Sequence, residues 1–172
     1  MKVEDIMTSA RLAGLVKRYH TWPTITTQSV AEHSWQVYRI YYEIFGLVPE
    51  TTAYFIITHD MGELVAGDLP YPIKADNPAL KSEMDYIELQ AIARMGFAPT
   101  EIGSEEALRV KVCHMLEMME FGLHESALGN RYGMVIADRC EIAARKMWLQ
   151  FDDPDLSGRL YQRVARSRRT LA

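Results

Sequence analysis

Cysteine is scarce: the chain has two, Cys113 and Cys140, and no CxxC pair. Both lie in apolar helical stretches, so buried free thiols in a reducing compartment are expected rather than a disulfide. Long apolar runs are missing as well. None approaches the ~18 residues needed to cross a membrane, and the N-terminus lacks a basic segment followed by an apolar core. A soluble, cytoplasmic chain with no membrane partner is expected. Positive charge is not in surplus either: 19 Lys and Arg stand against 23 Asp and Glu, a formal net charge of -4. That argues against duplex nucleic acid as a partner, while a small basic pocket for a nucleotide stays open. Internal repeats, low-complexity segments and convincing alternating strands are also absent. What is there is 172 residues, 48% hydrophobic and 24% charged. This is enough for one domain, residues 1–172, with a sizeable core.

Helical spacing covers most of the chain. Met1–Arg18 reads as a helix with apolar Ile6, Leu12, Leu15 and Val16. Tyr19–Ser29, rich in Thr and aromatics and holding Pro23, reads as a loop. Ser29 followed by Glu32 has the spacing of a capping box, and the helix it opens runs to about Phe45, where Gly46 stops it. Further helices are expected over Pro49–Gly67, Asn77–Met95, Ser104 to about Leu123, Arg131–Phe151 and Pro154–Ala172. The fold class is all-α, a single helical bundle.

The chemistry concentrates in Ile57–Pro72. An apolar run, Ala53 to Ile57, ends at His59 and Asp60, and Glu63 follows one turn later. On a helix these three share one face. Gly67 offers the left-handed residue that ends the helix, and Pro70 and Pro72 prevent its resuming, so Asp68 falls in a stiff loop. An imidazole beside a carboxylate at a buried helix end suits a metal site, with Glu63 left for proton transfer. The alternative is a helix C-terminus with ordinary surface charge.

His33 sits one turn into the second helix among apolar and aromatic neighbours, and His114 lies inside the long helix between Cys113 and Met115. Each reads as a core histidine or a ligand; a shared metal would supply the partner a buried imidazole needs. His124 reads as a surface residue, and His20 in the Thr-rich loop is placed to touch a ligand. Arg18, Lys74 and Lys81 are the cations nearest these segments, either plain surface charge or phosphate contacts, with Arg18 the best bidentate partner. Tyr19, Trp22 and Tyr71 could stack on a base or form a hydrophobic lid. Met115, Met118 and Met119 are most simply core packing. The helix Trp35–Phe45 carries more large side chains than one face needs, which suits an interface.

The order His33, His59-Asp60, Glu63, Asp68 resembles the HD-domain metal-dependent phosphohydrolases. Arg18, the segment Val30-Ala31-Glu32-His33-Ser34, and Gly67-Asp68-Leu69-Pro70 are similar to the bacterial 5′-deoxynucleotidase branch. The stretch from Arg18-Tyr19-His20-Thr21 to His33-Ser34-Trp35 also resembles small phage HD enzymes that hydrolyse dATP. The resemblance covers residues from about 10 to about 150.

That resemblance implies an all-α HD-domain bundle whose divalent metal (zinc, cobalt or manganese, with a second magnesium as a further expectation) is held by His33, His59 and Asp60. It gives Glu63 proton transfer and Asp68 the sugar or the attacking water. Arg18, Tyr19, His20, Trp22, Tyr71, Lys74 and Lys81 then line the substrate. For the fourth ligand the family carries Asp in a Lys-x-Ala-Asp-x-Leu-Glu segment. Here Lys111, Leu116, Glu117 and the Gly129-Asn130 turn put His114 at that position. Asp138 in Ala137-Asp138 imitates the motif one helix too late, so His114 is favoured. Tyr19 stands where the bacterial enzymes carry Trp, a departure at the sugar contact. The expected activity is a phosphohydrolase on deoxyadenosine nucleotides, dATP favoured, in the host cytoplasm if phage-encoded. The alternatives are a general 5′-deoxynucleotidase on monophosphates and a nucleotide-binding regulatory module with a degenerate site. A homo-oligomer, dimer or hexamer, is implied as well.

Overall fold

The computed structural model describes residues 5, 7–68, 73 and 76–171. Their regular structure is helical apart from one two-residue ladder: α1 Ala10–Ala13, β1 Lys17–Arg18, β2 Gln28–Ser29, α2 Val30–Phe45, α3 Glu50–Thr58, α4 Glu63–Ala66, α5 Pro78–Arg94, α6 Ser104–Ala127, α7 Gly133–Trp148, a 3₁₀ turn Leu149–Phe151, and α8 Pro154–Leu171. The all-α expectation holds. No helix among the described residues is long and apolar enough to cross a membrane.

The chain forms two compact units. The first comprises Met1–Pro23, Thr27–Trp35 and Ala53–Glu101. Here the expected helix over Met1–Arg18 is corrected. Ser9 caps the short α1, and Lys17–Arg18 pairs antiparallel with Gln28–Ser29. The reason lies at the start of α2, whose first N–H groups have no partner within their own helix. Val30 N–H donates to the Val16 carbonyl (2.9 Å) and Ala31 N–H to the Gly14 carbonyl (3.1 Å). Extended backbone after α1 satisfies donors that a continued helix would leave bare. The capping box closes as expected: Ser29 N–H donates to Glu32 (2.7 Å) and Glu32 N–H to Ser29 Oγ (3.2 Å). Ala13, Met61 and Ile92 form a buried cluster in this unit, with Leu64, Met95 and Phe97 against it.

The second unit comprises Thr24–Thr26, Gln36–Thr52 and Ile102–Ala172. Its α6 runs one turn past the expected end, and Gly129, at φ 96°, turns the chain into α7. A Cβ on Gly122 would lie 2.7 Å from the Ala137 nitrogen and the Gly133 oxygen, so α6 and α7 meet backbone to backbone. Cys113 and Cys140 are buried free thiols.

Candidate metal centre

The apolar helix α3 delivers the site. Its ladder continues to His59, whose N–H donates to the Phe55 carbonyl at 2.9 Å. It then tightens: Met61 donates to Thr58 (3.0 Å), Glu63 to Asp60 (3.1 Å) and Leu64 to Met61 (3.3 Å). Bonds spanning three residues instead of four wind the backbone more tightly. The single helix expected over Pro49–Gly67 is therefore two, with His59 and Asp60 in the turn between them. Gly62 makes that turn possible, because a Cβ there would lie 2.5 Å from the Glu88 Cα on α5. Gly67, at φ 77°, ends α4 as expected.

Asp60 is the hub. Its Oδ1 lies 3.0 Å from His59 Nε2, and its Oδ2 lies 3.7 Å from His33 Nε2 and accepts from Arg18 Nη1 at 2.8 Å. The ligand-type nitrogens of His33 and His59 fall within 4.8 Å of each other. His59 Nδ1 sits 2.9 Å from the Ile56 carbonyl, and its ring stacks on Phe55 (centroids 5.5 Å, 18° between planes). A backbone partner on Nδ1 fixes the ring and aims Nε2 at Asp60, the arrangement metal-ligating histidines show.

Electrostatics follow the geometry. Burial and then the Arg18 charge hold His33 well below the ordinary imidazole range, against Asp60, which raises it. A neutral imidazole is the form that ligates. For His59, burial lowers the pKa, but the Asp60 charge and hydrogen bond and the Ile56 carbonyl outweigh it and raise it. Burial lifts Asp60, yet His59, Arg18 and His33 together hold it well below the usual carboxylate range. Glu63 goes the other way. Burial first, and the Asp60 charge next, push it up to about 9 against the opposing pull of Arg18. Glu63 Oε2 is buried with no hydrogen-bond partner among the described residues. Two imidazoles and a carboxylate around one point are a donor set that fits a divalent transition ion.

A second wall is built by the loop after β1. Tyr19 adopts φ 58°, and its N–H donates to Asp68 Oδ2 at 3.3 Å. The Arg18 guanidinium lies 5.8 Å from the Tyr19 ring centroid. Trp22 N–H closes the loop on the Tyr19 carbonyl (2.9 Å), with its side chain half-buried and His20 exposed beside it. Thus Arg18, Tyr19, His33, His59, Asp60, Glu63 and Asp68 all belong to the first unit, as does the loop bearing His20 and Trp22. Lys81 does not join this hydrogen-bonded group: it is exposed and pairs with Asp85 on its own helix. Tyr71 and Lys74 lie outside the described residues. His114 is half-buried on α6 in the second unit. Asp138 is exposed and pairs with Arg168 at 2.6 Å. Sequence reasoning missed Phe55 and Ile56, which hold His59, and Glu88, whose charge adds to the rise at Glu63. Glu88 gave no signal, being one carboxylate among many on a charged helix.

Residues 7–101 match the family described as 5′-deoxynucleotidase YfbR-like. A 5′-deoxynucleotidase of Vibrio cholerae serotype O1 is 34% identical over 90 residues, 47% of this chain and 46% of that protein. A 5′-deoxynucleotidase of Vibrio vulnificus is 30% identical over 156 residues, 73% of this chain and 80% of that protein. One from Vibrio parahaemolyticus is 29% identical over 147 residues, 68% of this chain and 76% of that protein. Against the Vibrio cholerae protein and its Photobacterium profundum counterpart, the chain spans slightly under half of their length, 46% and 44%.

Proposed function

This chain belongs to the YfbR-like 5′-deoxynucleotidase family, and on that premise we propose that it is a metal-dependent phosphohydrolase removing the 5′-phosphate of deoxynucleoside monophosphates. The observation that carries the reading is the His59–Glu63 turn, which combines ligand-type groups, a proton-holding carboxyl and a guanidinium bonded to Asp60. His33, His59 and Asp60 hold the metal. His114 is the fourth ligand in this proposal, on the register of Lys111, Leu116 and Glu117. A divalent ion bound there supplies Lewis-acid polarisation of a phosphoryl oxygen. Burial favours the protonated Glu63 carboxyl, which gives its proton to the departing O5′ oxygen as a water attacks phosphorus and takes one back from that water. Arg18 offsets charge developing on the phosphate oxygens. Asp68, fixed by the Tyr19 N–H, holds the sugar or the attacking water in this proposal.

Monophosphates are favoured over the dATP expected from the phage-type resemblance for two reasons. The relatives named above are 5′-deoxynucleotidases, none described as acting on a triphosphate. Lys81, a cation that a longer phosphate chain would need and that was expected as a phosphate contact, is paired with Asp85 instead. The test is phosphate release from the four dNMPs and four dNTPs with manganese, cobalt or zinc. Release from dNMPs that chelator abolishes is expected. Release of triphosphate from dATP alone would restore the phage-type reading, and tight nucleotide binding without turnover would leave a regulatory module. His59→Ala and Asp60→Ala should each lose metal and activity together.

A further inference from the structure

The two clustered imidazoles of the first unit are held by different means. His33 is fully enclosed, so packing on every side fixes its ring. His59 is half-buried and lies one residue past the end of α3, in the turn where the backbone tightens. An imidazole on such a turn has two torsions to settle, χ1 and χ2, and each unsettled torsion spreads its ligand nitrogen through space. The Ile56 carbonyl, 2.9 Å from Nδ1, restrains the direction in which the ring points. One hydrogen bond still lets the ring tilt out of plane, because its angular preference is broad. The Phe55 ring opposes that tilt. It lies one turn back on α3 at the i, i+4 spacing, its centroid 5.5 Å from that of His59 with 18° between the planes. The His33 ring gives no such support, standing 6.1 Å away at 50°.

From this pairing we propose that Phe55 is a positioning residue of the metal centre. Its ring sets the plane of the His59 imidazole and thereby how tightly the site holds a divalent transition ion. The inference rests on the metal reading of this cluster. Two torsions meet two restraints, a hydrogen bond for direction and a flat ring for tilt. A stacked partner touches only the face of the imidazole. Nε2, at the ring edge, therefore stays open toward Asp60, 3.0 Å away, and its lone pair is not drawn elsewhere. Phe55 also accepts the His59 N–H on its carbonyl at 2.9 Å, so the backbone from which the ring springs is tied to the same residue. The contact asks for flatness rather than bulk. Leucine at this position would keep an apolar side chain and a good helix former, but its branched end offers no plane to lie against. Tyrosine keeps the plane.

Competition for cobalt or zinc against a chromophoric chelator tests it, with folding of each chain checked by far-ultraviolet circular dichroism. The parent should take up metal. Phe55→Leu should bind it about tenfold or more weakly, the scale on which a ligand histidine feels the loss of a supporting partner. Phe55→Tyr should return affinity to within about threefold of the parent, since the planar contact is restored. The visible absorption bands of the cobalt-loaded chain read ligand geometry separately: they should shift or broaden in Phe55→Leu and match the parent in Phe55→Tyr. Parental affinity and parental bands in Phe55→Leu overturn the proposal and leave the metal reading standing. So does a folded Phe55→Tyr chain that binds as weakly as Phe55→Leu. A parent chain that takes up no ion overturns both.

Discussion

Two buried glutamates, one in each unit, meet opposite fates. Glu125 is fully buried on α6 and accepts four hydrogen bonds: from Ile25 N–H (2.7 Å), Thr26 N–H (2.8 Å), Thr26 Oγ1 (2.5 Å) and Asn130 Nδ2 (2.7 Å). Burial pushes its carboxyl up, but those donors outweigh it and pull it down to about 2. Glu63 is buried almost as deeply, yet one oxygen has no partner among the described residues and the group is pushed up to about 9. A buried carboxylate whose lone pairs are filled holds a scaffold together. One left short, beside another acid, is poised to trade a proton. The first unit leaves Glu63 short of a partner beside the histidines, and the second uses Glu125 to tie a loop to a helix.

Replacing the poised acid should give the largest effect. Glu63→Gln keeps shape and removes titration, so turnover is expected to fall by about two to four orders of magnitude while bound metal stays near normal. The same variant reports stability in the chelated protein. The folded pKa of about 9 lies above the ordinary carboxyl value, so the folded state binds more protons and stability falls as pH rises from about 4.5 to about 9. Glu63→Gln removes that slope, and its thermal midpoint should exceed that of the parent at pH 8 but not at pH 4. An unchanged turnover would make Glu63 a second structural acid and erase the contrast.

For the saturated acid the expectation reverses. Glu125→Gln leaves donors facing an amide and should cost about 2–4 kcal/mol of stability, read by urea unfolding at pH 7. Its folded pKa lies below the unfolded value, so its contribution is present above about pH 4.5 and lost as pH falls toward 2. The variant should therefore lose less than the parent on acidification. Equal acid sensitivity in both proteins would mean that Glu125 is not the group being protonated.

Close backbone contacts sharpen the comparison further. A Cβ on Gly62 meets the Glu88 Cα at 2.5 Å, and one on Gly122 meets the Ala137 nitrogen at 2.7 Å. Each Gly→Ala change should cost about 1–3 kcal/mol through overpacking. Only Gly62→Ala sits in the ligand turn, so only it should also weaken metal binding in a titration. Equal metal affinity in the two variants would show that the turn does not need its contact with α5.

The fold was legible wherever a local signal was complete. The Ser29–Glu32 capping box, the stop at Gly46 and the end of α4 at Gly67 each rest on residues within one turn, and each stands as read. What failed was non-local. The pairing of Lys17–Arg18 with Gln28–Ser29 answers a need of α2 for backbone acceptors, and apolar spacing over residues 1–18 carries no trace of it. The break after Thr58 depends on α5, through the approach of Gly62 to Glu88. Residue types at the site were readable because His, Asp and Glu after an apolar run are hard to explain as surface. The supports of His59 were not, since a carbonyl at Ile56 and a ring at Phe55 look like any apolar helix.

The smallest effect is expected at the carboxylate that imitates a ligand. Ala137-Asp138 on α7 copies the Ala-Asp pair that the family resemblance assigns to the fourth ligand. Asp138 is instead exposed and pairs with Arg168, which also donates to Glu141. Arg168 keeps Glu141 if Asp138 is neutralised, so no charge is stranded. Exposed pairs of this kind contribute about 0–1 kcal/mol. Asp138→Asn should therefore change stability by about 0.5 kcal/mol and leave dNMP hydrolysis within about threefold of the parent at saturating metal. His114→Ala, at the register position of the family Asp, should lose metal under the same conditions. His114→Asp should retain it and shift preference toward manganese, a harder ion that favours oxygen. Elemental analysis decides between them: metal lost from Asp138→Asn and kept by His114→Ala would transfer the fourth ligand to α7.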